Sequence, residues 1–499
     1  MRVLLVNPPS LRLAGFQVPY FPIGLGYIAA MLVKEGHTVE IYNTDIDTVQ
    51  SARHSQHSTL DKANTMYNKY SAALQNPAHE VWGEVEKVIR ERNPEVVGIT
   101  CKVFDMASAL VVARIAKSVN KEIVVVLGGP AATTCTDMVL EDQNVDCVVR
   151  GEGEITMVEL LKALQSSKLN LHSIDGLSFK ESGDIVHNKR RALIENISSL
   201  PYPARDLLLY ADKLPKWMFE SIMGGIITSR GCPYACTFCA NRTVWGSRKV
   251  RMRTAQDVVE EILYLRDTYG VRRFIFWDDH FATSRQRAVK ICNLLLEKRA
   301  DVHWLCLVRA DTIDEQLLEL MKKAGCYEVQ MGVESGSDRI LKKVKKGVTV
   351  EQIRKTADII RKSGLRWHAF LLVGIPGETR EEMDATMRLI TELKPDRVQL
   401  SVFTPYPGTP LYQELEERGL LNDQKWLSAD VLNVDYSYVG TIPHEEFRKL
   451  ALQYLKECDE YNEMNAQTSC YAYYLRHPTL SAKKLIKMIT KKFYALWGD

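Results

Sequence analysis

Short apolar runs alternate with helix-like segments twice along this chain, and that alternation leaves few folds open. The first series of runs lies at residues 2–6, 38–42, 95–99, 122–127 and 145–149. Each is hydrophobic throughout rather than on every second residue, the pattern of strands buried on both faces of a parallel sheet. Between them, GLGYIAAMLVKEG and MASALVVARIAKSV carry helical periodicity. The fold class is therefore α/β, beginning with a doubly wound, Rossmann-like sheet. A second series starts at Gly225, with runs at 225–229, 273–277, 302–308, 327–333, 366–373 and 397–402. Six such units with helices between them predict a partial (β/α)6 barrel, and polar residues gather where each run ends. In barrels of this kind the active site sits at that face.

The remaining organisation follows from punctuation and charge. The predicted domains are 1–190 (the first sheet), 191–224 (a linker containing LPYPARDLL), 225–420 (the barrel) and 421–499 (a helical C-terminal region). Segment 48–78, polar and rich in Ser, Asn and His, reads as an inserted loop. Residues 174–188 read as a hairpin turning at Ser182-Gly183. The net charge of +3 over 499 residues points to no nucleic-acid partner. From Tyr471 onward, however, six Lys/Arg face one acid, and Ala482, Leu485, Ile486, Ile489, Phe493 and Leu496 follow helical spacing. That is a basic amphipathic tail, suited either to peripheral contact with an anionic membrane or to packing on the body. No run approaches the length of a membrane span. Eleven scattered cysteines do not read as a disulfide framework, so the expected compartment is the cytoplasm.

Three of those cysteines stand apart. In SRGCPYACTFCANR, Cys232, Cys236 and Cys239 leave gaps of three and two residues. Thiolates are the usual ligands of iron–sulfur clusters, and a cubane has four irons. Three cysteines hold three corners and leave the fourth iron to a small molecule. Structural zinc would want a fourth protein ligand, and the nearest downstream candidates, Asp278, Asp279 and His280, lie at another strand end.

The CPYACTFC triplet, just after the first barrel run, resembles the cluster motif of radical S-adenosylmethionine (SAM) enzymes. The resemblance implies a [4Fe–4S] cluster whose open iron takes SAM and whose electron cleaves it to a 5′-deoxyadenosyl radical. It also assigns SAM contacts: Phe238 by the adenine, Asp278 and Asp279 near the amino group, Arg309 for the carboxylate, and Glu334 and Ser335 at the ribose. Gly374, Ile375 and Pro376 would pass the adenine through their backbone. A radical enzyme of this kind draws its electron from a donor such as flavodoxin or ferredoxin.

The first domain resembles the cobalamin-binding domain that precedes many such barrels, in NPP, FPIGLGYIAAML, VGIT, LGGPAAT and VVRGEGEITMVEL. Cobalamin contacts would come from Asn7, Thr100, Cys101, Gly128, Gly129, Gly151, Glu152 and Gly153, at the carboxyl ends of the strands. Two departures are visible: the domain has no Asp-x-His-x-x-Gly, and Ala131 stands where many relatives have histidine. The whole resembles a class B radical SAM methyltransferase, which implies cobalamin-dependent methylation of an unactivated carbon on a small-molecule or lipid-like substrate. Two alternatives remain open here: a radical SAM cyclase, ring-contraction or carbon–carbon coupling enzyme, and a non-catalytic cluster- or corrinoid-binding protein.

Overall fold

The computed structural model describes residues 1–15, 20–46, 59–167, 169–421, 434 and 437–476. The amphipathic tail predicted beyond Arg476 lies outside the described residues. The first sheet has seven strands: β1 (Arg2–Asn7), β2 (Thr38–Asn43), β3 (Val96–Thr100), β4 (Val124–Gly128), β5 (Cys147–Val149), β6 (Leu177–Glu181) and β7 (Asp184–His187). Their order is β2-β1-β3-β4-β5-β6-β7. The first five are parallel, while β6 and β7 form the predicted hairpin and add antiparallel to β5. The order reverses direction between β1 and β3, so a crevice opens beyond the carboxyl ends of that pair.

A second sheet, all parallel, runs β8 (Gly225–Ile226), then β11 (Arg273–Phe276), β12 (His303–Val308), β13 (Cys326–Glu334), β14 (Arg366–Val373) and β15 (Arg397–Val402). Between β8 and β11 a two-stranded ribbon intervenes, β9 (Ser229–Arg230) against β10 (Arg251–Met252). The run predicted as one strand at 225–229 is thus divided. Its first half joins the barrel sheet; its second half leaves to make the ribbon that precedes the cysteine loop.

Between this sheet and the helices that cover it, large side chains fill the core. Trp304 stacks on Phe276 with centroids 5.0 Å apart, and Phe281 closes on both at 5.3 and 5.1 Å. Each such pair adds about 0.5–1.5 kcal/mol beyond area burial. The core is continuous from the first sheet into the barrel, since Val3, Ile41, Ile226, Trp304 and Leu400 belong to one buried cluster.

Two sequence expectations change. Within 48–78, Thr59–Gln75 is a helix rather than a loop, and its Tyr70 and Ala73 are buried against a second apolar cluster. The proline-marked stretch at 200–208 is packed, not a free linker. Leu208 bridges Ile41 at the edge of β2, and the Arg205 side chain is buried against Glu261 and the Gly225 carbonyl (2.8 and 2.6 Å). At the far edge of the barrel, the helix His444–Arg476 packs on β15. There Asn462 accepts a hydrogen bond from the Val398 amide and donates one to its carbonyl, both at 2.8 Å.

Candidate active site

The cysteine loop begins at a residue with no freedom to change. Gly231 has φ +95°, and a Cβ there would lie 2.5 Å from the Lys249 carbonyl oxygen. The loop is then pinned to the barrel, because the Thr237 amide donates to the Val344 carbonyl at 3.0 Å and the Leu411 amide to Thr237 at 3.2 Å. Cys232 and Cys236 are half-buried and Cys239 is exposed, and all three thiols are free. Burial pushes the Cys232 thiol up, and neighbouring protein atoms push that of Cys239 up to about 12 although the residue as a whole is exposed. A bound metal reverses this bias, since a coordinating thiol is deprotonated outright.

Among the described residues, no three His, Cys, Asp or Glu side chains gather as the ligands of one ion would. A single zinc needs its ligands about 2.0–2.3 Å from one point. A cubane takes each thiolate on a different iron, so its sulfurs need not converge. Three free thiols on one short pinned loop fit the three thiolate corners of such a cluster.

Around this loop the strand ends hold a layered set of charged and aromatic groups. The Arg309 guanidinium lies 3.4 Å above the ring centroid of Tyr234, which sits between Cys232 and Cys236. It donates to Asp311 at 3.0 and 3.3 Å and to the Lys346 carbonyl at 2.6 Å. His280 stacks on Tyr234 at 6.2 Å, is fully buried, and neither ring nitrogen has a partner within the protein. Burial, assisted by Arg309, holds its pKa down to about 4. Glu334 stands at a register shift between β13 and β14 with φ +66°, a left-handed backbone uncommon for any residue with a side chain. Its carboxylate accepts from Lys346 at 2.6 Å. Strain of this type collects at functional sites.

Other predicted contacts are turned inward. The Asp278 carboxylate accepts from the amides of Thr228 and Ser229, at 2.5 and 3.0 Å, and from the Thr228 hydroxyl. It therefore fastens the end of the first barrel segment, while Asp279 faces the cysteine loop, where it influences Cys232 and Cys239. Ser335 is fully buried, 3.3 Å from the Thr386 hydroxyl. Phe238 is half-buried against the apolar cluster shared by the first domain and the barrel. Gly374, at φ +86°, and Ile375 give their amides to Glu378 at 2.8 and 3.1 Å, and Pro376 is buried beside them.

Glu378 was not foreseen, although it closes the GIPGE stretch. Desolvation raises its pKa to about 8, and its second oxygen has no partner within the protein. The unfolded carboxyl titrates near 4.3, so the folded state binds more protons across the interval between. Stability contributed by this group is present below that interval and is lost as pH rises through it. In a Glu378→Gln variant the melting temperature should gain on the wild type from about pH 5 to about pH 8, then hold a constant gap. Calorimetry across that range checks it; a gap independent of pH would contradict the assignment.

At the carboxyl edge of the first sheet, Thr100, Gly128 and Gly151 are partly exposed, and Gly151, at φ +76°, has open space where a Cβ would be. A ligand can approach the backbone there without meeting a side chain. Gly129 and Gly153 answer to the protein's own packing, with a Cβ meeting the Cys101 carbonyl oxygen or Ile28 at 2.9 Å. Asn7 is buried, bonded to Asn43 and Tyr20, and Cys101 is a core thiol whose pKa burial raises. Ala131 is fully buried. Glu152 points away from the opening, to Arg230 and Arg251 of the ribbon. Beside the opening, Lys102 donates to the Tyr20 hydroxyl at 2.8 Å and pairs with Asp105 at 3.0 Å.

The Radical SAM superfamily pattern matches residues 226–390 and the B12 binding domain pattern residues 71–161. An uncharacterized methyltransferase of Pyrococcus horikoshii is 33% identical over 432 residues, 85% of each chain. The cytidylyl-2-hydroxyethylphosphonate methyltransferase of Streptomyces wedmorensis is 27% identical over 504 residues, 91% of this chain and 89% of that protein. Among solved structures, the radical SAM methyltransferase TsrM of Kitasatospora setae, with tryptophan and a SAM analogue bound, superposes with a TM-score of 0.64. It shares 20% identity and covers 84% of this chain and 76% of its own. Both layers of the fold and the cysteine loop at their junction define one class. The chain belongs to the radical SAM enzymes that carry an N-terminal cobalamin-binding domain.

Proposed function

We propose that this protein is a cobalamin-dependent radical SAM methyltransferase acting on an unactivated carbon. The observation that carries the reading is the trio of free thiols on one pinned loop at the mouth of the barrel, joined through a continuous core to a sheet with an open carboxyl edge. When bound, the cluster supplies the electron that cleaves SAM and cobalamin carries the methyl group. The protein's own part is to hold and orient. Cys232, Cys236 and Cys239 would ligate the cluster, leaving one iron to SAM. Arg309, rigidified by Asp311 and Tyr234, would take the SAM carboxylate through a charge-assisted bond. Asp279, at the rim of the cysteine loop, would face its ammonium. Lys346 and Glu334 would border the ribose, and the buried backbone of Gly374–Pro376 would wall the adenine from water. Thr100, Gly128 and Gly151 would border the corrinoid.

Substrate enters this proposal only as a small molecule, lipid-like ones included, and the electron as arriving from a donor such as flavodoxin or ferredoxin. No helix among the described residues is long and apolar enough to cross a membrane. Contact with a membrane surface through the tail is tested by liposome flotation with and without residues 476–499.

The deciding experiment is anaerobic reconstitution with iron, sulfide and hydroxocobalamin, followed by SAM and a reductant. Formation of 5′-deoxyadenosine with about one cobalt retained per chain supports the reading. 5′-Deoxyadenosine without retained cobalt favours the cyclase or coupling alternative, and retained iron or cobalt without 5′-deoxyadenosine favours a non-catalytic binding protein. A narrower check falls on Arg309. An Arg309→Lys variant keeps the charge but not the planar fork, so SAM affinity should fall about tenfold to a hundredfold by equilibrium dialysis, with iron content unchanged.

A further inference from the structure

Two arginines and two glutamates form a closed ionic group between the loop after β5 and the ribbon that leads into the cysteines. Arg230 donates through Nη1 to Glu152 and through Nη2 to Glu154, both at 2.6 Å. Arg251 donates to both oxygens of Glu152 at 2.7 and 2.6 Å, and to the Ile194 carbonyl at 2.9 Å. The Ile194 amide returns a bond to Glu152 at 2.8 Å. All four residues are between 3% and 6% exposed. The charges balance, two against two, and aromatic rings cover both guanidinium groups: Tyr27 at 5.0 Å from Arg230 and Trp245 at 5.3 Å from Arg251.

The local backbone explains why these four meet. Arg230 and Arg251 are directly paired across the β9–β10 ribbon, so their side chains share a face. Glu152 and Glu154 are separated by Gly153, which packs against Ile28 with no room for a side chain. Each end then connects by the shortest route to a proposed cofactor seat. From Arg230, the tight glycine Gly231 leads straight to Cys232. From Glu152, the chain leads back to Gly151 at the open edge of the first sheet. Buried charge in this quantity is a poor way to gain stability, because desolvation offsets most of the Coulombic attraction. What it provides is geometry: Arg230 bridges Glu152 and Glu154 through its two terminal nitrogens, and Arg251 ties Glu152 to the Ile194 carbonyl through Nη1, so short charge-assisted bonds fix the ribbon against the loop.

We propose that Arg230, Arg251, Glu152 and Glu154 are positioning residues that set the spacing between the cluster loop and the corrinoid edge. The proposal rests on the cobalamin-dependent reading above. In a reaction that uses two cofactors on one substrate carbon, a misplacement of 1 Å costs on the order of 10²-fold in rate, so a rigid spacer between their seats has a direct catalytic consequence.

The test is pulsed dipolar EPR on reconstituted full-length protein, poised so that the cluster and cob(II)alamin are both paramagnetic. No substrate is needed. The wild type should give one narrow distance distribution. Glu154→Gln removes one charge with little change of shape, and Arg230→Lys keeps the charge but cannot bridge two carboxylates. Both should shift or broaden the distribution by about 1 Å or more, with iron and cobalt contents at wild-type levels. Glu195→Gln, which breaks the exposed pair with Lys249 nearby, should leave it unchanged. Unchanged distributions in both clamp variants overturn the proposal. A wild type that cleaves SAM but holds no cobalamin overturns it together with the methyltransferase reading, and iron and cobalt contents separate the two failures.

Discussion

Alanine at Cys232, Cys236 and Cys239 together is expected to remove all cluster iron and to abolish 5′-deoxyadenosine formation, while the fold survives. The size of the effect follows from the loop's construction. The loop is held by backbone bonds, from Thr237 to Val344 and from Leu411 to Thr237, and by the cramped turn at Gly231. None of these requires a sulfur. Loss of the thiols should therefore delete the ligands without unpinning the loop, and thermal unfolding of the cluster-free proteins should coincide. Single substitutions are expected to retain part of the iron but none of the activity, because a cubane held by two thiolates presents two open corners rather than one. Retention of wild-type iron in the triple variant would remove the basis of the assignment.

The largest expected effect on stability lies away from the cysteines, at Glu261. This carboxylate is about 1% exposed and receives Arg205 from the packed 200–208 stretch at 2.8 Å and Arg253 from the other side. Glu261→Ala leaves two buried guanidinium groups without their shared counter-charge. Breaking a buried pair in this way costs about 3–5 kcal/mol, read as a shift in the denaturation midpoint without a change of slope. Arg205→Met should cost less, since Arg253 still satisfies Glu261. A loss of under about 1 kcal/mol in Glu261→Ala would place the group among ordinary surface pairs.

The two alternating series were legible because strands buried on both faces are mostly apolar runs, as in VVVLG of β4 or the FLLV half of β14. The cysteine triplet was legible because its spacing is local. Ownership of polar side chains was not. Asp278 and Asp279 are neighbours of one type, yet one fastens Thr228 and Ser229 while the other faces the cysteine loop. That division depends on how a strand end turns, a matter of tertiary packing. Ser335 and Glu152 fell to the same cause. Arg205 was hidden differently: the two prolines just before it, Pro201 and Pro203, signal irregular backbone, but irregular backbone does not mean exposed. His280 carried a signal in WDDHF, and only the stacking on Tyr234 gives it a place.

The side-chain fork of Asn462 on Val398 has a consequence for the chain in a cell. A parallel sheet that stops at six strands presents an outer row of amides and carbonyls at β15, a ready template for another chain to continue. Asn462 occupies both groups of one residue, Tyr461 and Asn465 occupy the Pro395 carbonyl, and the helix that bears them lies across the edge. The helix thus imitates a seventh strand without being able to recruit an eighth. A chain ending before residue 444 should lose the cover that Phe447 gives Gly374 and, with the β15 edge bared, assemble edge to edge, as size-exclusion chromatography would show.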